Sequence, residues 1–336
     1  MKLTSEMWKG RCYMRLSLGE DDAGRDILSF LRAELGLSSA KIRSVKFDPE
    51  GILLDGKRVT VRERVKAGQC LRILQSDSSN RELRLLPTEM PLDILYEDKN
   101  FLFVNKPSGV VCHPSQGHFA DSLANGVQAY WNRRDPESRV HLVGRLDKET
   151  SGIVSIAKNG VAARQLSEQR REGRLKKTYF ALVRGCPQPL CGEIALPMEY
   201  VRDPEREGMF VMKAADASRG KAAVTHYRVF ESFGGVSLCR VRIDTGRTHQ
   251  IRFHMASFGH PLLGDRLYGT ADDASDGKNE HRALCSGIKR TALHAGRLEF
   301  AHPFSGEELV LNAGLPEDML TVCRELHPRG ELPVLL

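Results

Sequence analysis

At 336 residues the chain can build one large core and a smaller second one, because single cores rarely grow beyond about 250–300 residues. Its composition, 41% hydrophobic, 28% charged and 7% aromatic, is that of an ordinary globular protein. It holds no apolar run near the roughly 18 residues that span a membrane. The first 22 residues carry charges where a signal peptide needs its apolar stretch, so the expected location is the cytoplasm. A net charge of +7 favours a polyanionic partner. Residues 1–80 hold 15 Lys/Arg against 11 Asp/Glu, so +4 of the +7 sits at the front of the chain. That asymmetry suggests a small module touching phosphates, against the bland alternative of a solvated basic surface.

In chain order, residues 22–36 place Ile27, Leu28, Leu31 and Leu35 at helical spacing, with Gly36 as C-cap. A second, basic helix over 38–47 starts at a serine and carries Lys41 and Arg43. Short strands follow, with turns at Asp55-Gly56 and near Gly68. The polar, proline-bounded stretch 76–91 reads as a connection, so we expect a front domain over 13–80, a linker over 81–90 and a main domain over 91–325. Strand patterns then dominate at 101–106, 152–158, 178–185 and 237–243. Helices are expected over 159–173 and 249–259, the latter with Ile251, His254, Met255 and Phe258 on one face. Residues 270–280 read as a mobile polar loop. Strands and helices mix without regular βαβ alternation, which favours an α+β domain built on a mixed, largely antiparallel sheet.

The eight cysteines form no CxxC pair, and a chain of this size needs no disulfide staples. His249 and His254 lie five apart, a spacing that does not make metal ligands on one helical face, and there is no HExxH. Dinucleotide, nucleoside-triphosphate and serine-hydrolase signatures are missing. Chemistry must therefore come from three clusters of charged, glycine and hydroxyl residues at strand edges. LVGRLDKETSGIVSIAKN (142–159) presents Asp147 at a turn ahead of an apolar strand. By itself such an aspartate is more often a turn or capping residue. GRLKKTYFALVRG (173–185) sets Tyr179 beside two lysines, where a tyrosine is usually a half-buried sheet residue. IDTGRTHQIRFHMASFGHPLLGDRLYG (243–269) holds Arg247, which alone suggests no more than a structural ion pair.

Together the three clusters resemble, in order, the HRLD-x-x-[ST]-[SG]-G-[LIV], K-x-Y-x-A-x-V-x-G and TGRTHQIR-x-H-x-x-x-x-G-x-P-[IL]-x-G-D-x-x-YG motifs of the RluA family of pseudouridine synthases. The opening stretch 91–115 and the closing segments 293–308 and 315–319 resemble that family as well, so the likeness covers roughly 90–320. One position departs from it. The residue before the Arg-Leu-Asp core, often His in the family, is Gly144 here. Residues 13–80 resemble, more weakly, the S-four-type RNA-binding module that often precedes this catalytic domain.

The resemblance implies a pseudouridine synthase fold and the isomerisation of specific uridines in structured RNA, in 23S ribosomal RNA, tRNA or both. The reaction breaks the N1–C1′ bond, turns the uracil and joins C5 to C1′, so it needs no redox cofactor, metal or nucleotide. By resemblance Asp147 is the catalytic carboxylate. It either attacks C1′ or helps remove the C2′ proton, and the sequence leaves both routes open. A carboxylate that meets a buried nucleotide must be desolvated, which favours its neutral form, and a fixed cation offsets this. By resemblance Arg247 is that cation. Tyr179 is implied to lie against the uracil and to accept the C5 proton, directly or through water. Lys177, Arg145, Thr248, His249, Gln250, Lys41 and Arg43 are the implied RNA contacts, with Arg145 filling the stack vacated by the flipped base. No partner other than RNA is implied, and a monomer is expected. The rival readings are a catalytically dead RNA-binding relative, against which Asp147, Tyr179 and Arg247 all stand, and a hydrolase that would release free uracil.

Overall fold

The computed structural model describes the chain except residues 1, 9–10, 36, 38, 49, 75–84, 116–117, 137, 204–209, 217, 234, 270–286 and 327–336. The expected loop at 270–280, the Gly36 cap and residues 81–84 of the expected linker therefore lie outside the described residues. The fold divides into two units, residues 1–84 and 85–336.

The first unit is an antiparallel sheet in the order β1 (Lys2–Trp8), β2 (Arg11–Ser17), β5 (Cys70–Leu74), β3 (Ile52–Leu54), β4 (Lys57–Arg58). The Asp55-Gly56 turn forms as expected and joins β3 to β4. The first expected helix is shorter than its apolar spacing suggests. Helix α1 starts at Ile27, capped by the Asp26 carboxylate, which accepts from the Ser29 amide, and widens into a π-turn over Phe30–Glu34. Residues 24–26 are drawn instead into pairing with 64–65: the Gly24 amide donates to Val65 O and the Val65 amide to Arg25 O. Helix α2 (Ser39–Phe47) lies close to where it was expected. Tyr13, Leu16, Ile27, Phe30, Leu31, Val45 and Ile73 fill the core between sheet and helices.

The second unit is built on ten strands. Eight run in the order β11 (Cys191–Ala195), β14 (Val224–Phe233), β15 (Val236–Ile243), β10 (Lys176–Arg184), β16 (Leu293–Ala301), β9 (Ser151–Ala157), β7 (Phe101–Lys106), β6 (Asp93–Glu97). Strand β17 (Glu308–Asn312) also pairs with β16, and β8 (His141–Leu142) with β9. Among the described residues only β9 and β16 run parallel, so the sheet is mixed and largely antiparallel. A separate hairpin, β12 (Met198–Arg202) with β13 (Phe210–Ala214), stands off it.

Both sheet faces are covered, which is why β9 is buried along its whole length. On one face Val154, Ile156, Tyr179, Ala181, Cys239 and Val241 pack under α3 (Leu123–Arg134) and α5 (Gln250–Ser257). On the other, α4 (Gly160–Arg171) covers Phe101, Phe103 and Ile153, while α6 (Glu317–Leu326) covers Phe180, Leu182 and Leu238. The expected strands and both expected helices of this region are present within a few residues of their read bounds. Among the described residues no helix is long and apolar enough to cross a membrane.

One glycine sets how the strands meet at the end of β9 that begins with Ser151. Gly152 has φ +112°, and a Cβ there would lie 2.3 Å from the carbonyl oxygen of Ala295 on β16. Only glycine lets β9 and β16 close at this point, five residues after Asp147.

Candidate active site around Asp147

Asp147 stands in the loop between β8 and β9, and that loop is tied down from two sides. The Leu146 amide donates to Cys112 Sγ (3.2 Å) and the Cys112 thiol donates to Leu146 O (3.3 Å). On the other side the fully buried Lys106 Nζ donates to the carbonyls of Pro107 (2.8 Å), Val110 (2.7 Å) and Lys148 (3.1 Å). The Gly109 amide also donates to Lys148 O, and Ser108 Oγ to Glu149 O. Burial pushes the Lys106 ammonium down to about 8, against the opposing pull of Cys112 and Asp147. The sequence reading missed Lys106. Its signal is a lysine closing an apolar strand ahead of Pro-Ser-Gly.

The cation that meets Asp147 is not the one expected. Arg252 Nη1 lies 3.8 Å from Asp147 Oδ2, and the Asp147 side chain keeps only 20% of its surface exposed. Arg252 is itself buried and is held by Asp265 through two parallel bonds, Nε to Oδ2 (2.6 Å) and Nη2 to Oδ1 (2.8 Å). Asp265 also accepts from the amides of Leu267 and Tyr268. Burial pushes the Asp265 carboxyl up, but Arg252 and the two amides together outweigh it and hold the group below its ordinary range. Arg252 further lies against the Tyr268 ring, 5.3 Å from its centroid. Arg247 is exposed on the preceding loop and donates its Nε to Ala222 O at 3.4 Å. The expected Arg247–Asp147 pair is therefore replaced by a chain running Asp147, Arg252, Asp265. The reason is position: Arg252 sits in the first turn of a buried helix, and a charge buried there has to be paired.

The other expected residues divide into two groups. Arg145 Nη2 donates to Thr248 Oγ1 (2.5 Å), tying the Asp147 loop to the loop before α5. His249 caps α5 with a left-handed backbone and its Nδ1 lies 3.1 Å from the Tyr268 hydroxyl. Burial lowers the His249 pKa, while the charge of Asp147 pulls the other way, so this ring too lies within the field of Asp147. Tyr179 and Lys177 lie on β10. Lys177 Nζ donates to Ile153 O (2.7 Å), and burial pushes its ammonium down to about 8. Burial, reinforced by Asp147, pushes the Tyr179 phenol far above its ordinary value. Tyr179 therefore keeps its proton at neutral pH and presents a ring face and a donor. It is poorly suited to the direct acceptance of the C5 proton assigned to it above.

Gln250 does not face RNA. It is buried, its amide nitrogen donates to Val224 O and Thr225 Oγ1, and its oxygen accepts from Thr245 Oγ1 and the Arg247 amide. His254 is likewise engaged at both ring nitrogens, by Thr225 Oγ1 and Leu196 O. No group of side chains suited to holding a metal occurs among the described residues. In the first unit Arg43 is exposed on α2, and the Lys41 side chain lies outside the described residues.

Against this geometry, the protein family described as RNA pseudouridylate synthase matches residues 100–257. The chain is 36% identical to an uncharacterized RNA pseudouridine synthase of Bacillus subtilis, over 85% of this chain and 94% of that protein. This chain is an RluA-type RNA pseudouridine synthase. The synthase is also 36% identical to the ribosomal large subunit pseudouridine synthase D of Xylella fastidiosa, over 92% of this chain and 91% of that protein. In three dimensions it is similar to human RNA pseudouridylate synthase domain containing 4, with a TM-score of 0.52, 28% identity and coverage of 69% of this chain and 92% of that one. The synthase is thus an RNA isomerase; Asp147 and Arg252 lie inside the matched segment, and Asp265 and Tyr268 just beyond it.

Proposed function

We propose that this synthase converts a uridine of large-subunit ribosomal RNA to pseudouridine, with Asp147 as the carboxylate that acts at the target sugar. The observation that carries this reading is the chain Asp147–Arg252–Asp265 at the end of a pinned loop. A single half-buried carboxylate is fixed by a cation that is itself fixed from behind, so its oxygens are aimed before substrate arrives. Acting on the sugar, Asp147 either forms an ester at C1′ or takes part in removing the C2′ proton, with the uracil held against the Tyr179 ring during its turn. Arg145 fills the stack left by the flipped base, its fork already steadied by Thr248. The isomerisation neither oxidises nor adds a group, so it proceeds without a cofactor.

Large-subunit RNA as substrate is supported by relatives named for it across most of their length, such as the Xylella protein. The first unit is read as an S-four-type RNA contact, supported by its share of the net charge and by the exposed Arg43 on α2. The enzyme is read as a cytoplasmic monomer, where its RNA is made. The test is pseudouridine mapping of total RNA from cells with and without the gene. One or a few large-subunit positions should revert to uridine. Reversion confined to tRNA would overturn the choice of substrate.

A further inference from the structure

The space beside Gly144 is filled from an unexpected direction. Gly144 has φ +88°, and a Cβ built on it would lie 3.0 Å from Nη1 of Arg170. A Cβ on Gly246, across the cleft, would lie 2.7 Å from Nη2 of the same arginine. The guanidinium, carried by the last turn of α4, thus sits between two bare backbones. One belongs to the Asp147 loop and the other to the loop of Arg247. Its charge also acts on Lys177 and Tyr179, so it stands at the site rather than on a remote face.

Arg170 forms no ion pair with any of the described residues. It is exposed, and among the described residues no carboxylate or hydrogen-bond acceptor engages it. At the inner site Asp147 and Asp265 share the guanidinium of Arg252, and the buried ammonium groups of Lys106 and Lys177 are turned to backbone carbonyls. These inner cations are engaged within the protein and do not reach a phosphate of an RNA strand brought to Asp147. Exposed cations around the site must meet it. Arg145 is tied to Thr248 and Arg247 to Ala222 O, which leaves Arg170 as a free, planar, two-pronged donor.

We propose that Arg170 binds a backbone phosphate of the RNA strand beside the target uridine, from the place that a side chain at position 144 would otherwise occupy. This rests on the pseudouridine synthase activity and on Asp147 as the reacting group, but not on which RNA is modified. The alternative is that Arg170 merely complements the C-terminal end of α4, as Arg171 beside it also does.

The test uses the full chain and RNA extracted from cells lacking the gene, labelled with tritium at uridine C5. That probe contains the unmodified target whatever its identity, and the label is released when C5 joins C1′. Arg170→Gln should lower kcat/KM about tenfold, the size of one lost charge-assisted contact. It should flatten the log–log salt dependence by about 0.7–0.9, the signature of one phosphate. The rate at saturating RNA should stay within about threefold of wild type. Arg170→Lys should recover part of the loss, and Arg171→Gln should resemble wild type. The proposal is overturned by an unchanged kcat/KM and salt slope in Arg170→Gln, by an equal loss in Arg171→Gln, or by a fall confined to the saturated rate. Sorting the RNA by size checks the substrate separately. Release from tRNA alone would sink the ribosomal reading and leave the Arg170 comparison standing.

Discussion

Two sets of charges meet at Asp147, and they are built on opposite rules. The inner set, Asp147, Arg252 and Asp265, is largely buried, with Arg252 hydrogen-bonded twice to Asp265 and its Nη1 3.8 Å from Asp147. The outer set, Arg145, Arg170 and Arg247, is exposed and held at most by a single hydroxyl or carbonyl. A buried pair is worth much when one member is removed, because the survivor is left uncompensated. An exposed cation contributes little to the fold and remains available to a ligand. The proposal therefore assigns the chemical step to the inner set and RNA capture to the outer set.

The sharpest way to break that division is Asp147→Asn, which keeps shape but removes both nucleophile and base. Tritium release should fall to background while RNA affinity holds. Turnover above a few per cent of wild type would show that the reacting group lies elsewhere. Next in size is a matched pair of substitutions that keep charge. Arg252→Lys replaces a fork that serves two carboxylates with one ammonium, and a misplacement on the order of 1 Å can cost about 100-fold. Arg247→Lys should stay within about threefold in single-turnover rate at saturating RNA. Equal losses in the two variants would erase the distinction between inner and outer sets.

A pH measurement sharpens the same comparison through stability. The Asp265 carboxyl is held below its unfolded value, so its contribution is present above that value, near 4, and is lost as pH falls through the lower folded value. Wild type should lose stability more steeply below about pH 4 than Asp265→Asn, measured as the change of denaturant midpoint with pH. Identical slopes would mean that the Arg252 fork does not stabilise the charged form. The smallest expected effect on chemistry comes from removing residues 1–84. Affinity for long structured RNA and its salt slope should both drop, with the saturated rate little changed. An unaltered salt slope would show that the first unit makes no phosphate contacts.

The strands around the site were legible because each is a local pattern: an apolar run bounded by glycine or charge, as at 101–106 and 152–158. The Asp147 turn was legible for the same reason, and the family motifs pointed to Asp147 as the candidate carboxylate. What the chain order hid was partnership. TGRTHQIR offers two arginines five residues apart, and the choice between them depends on Asp265, thirteen residues beyond Arg252, closing on it from behind. The helix expected from residue 22 failed similarly, because Gly24 and Arg25 found strand partners at Val65, forty residues away. Arg170 lies in the helix expected over 159–173, and only the fold sets it against Gly144 and Gly246.

The buried ammonium of Lys106 carries a consequence of simple stoichiometry. Three carbonyl oxygens converge on a nitrogen that, when protonated, has three hydrogens to give. The match is complete, as in a small macrocycle wrapped around a cation. Once the amine loses its proton, near pH 8, one oxygen is left bare and the wrapping slackens. Lys148 O belongs to the residue next to Asp147, so the slack reaches the loop that carries Asp147. Lys177, whose ammonium burial also pushes down to about 8, loses a hydrogen bond to Ile153 O in the same range, so both buried amines loosen the backbone around the site as the pH rises.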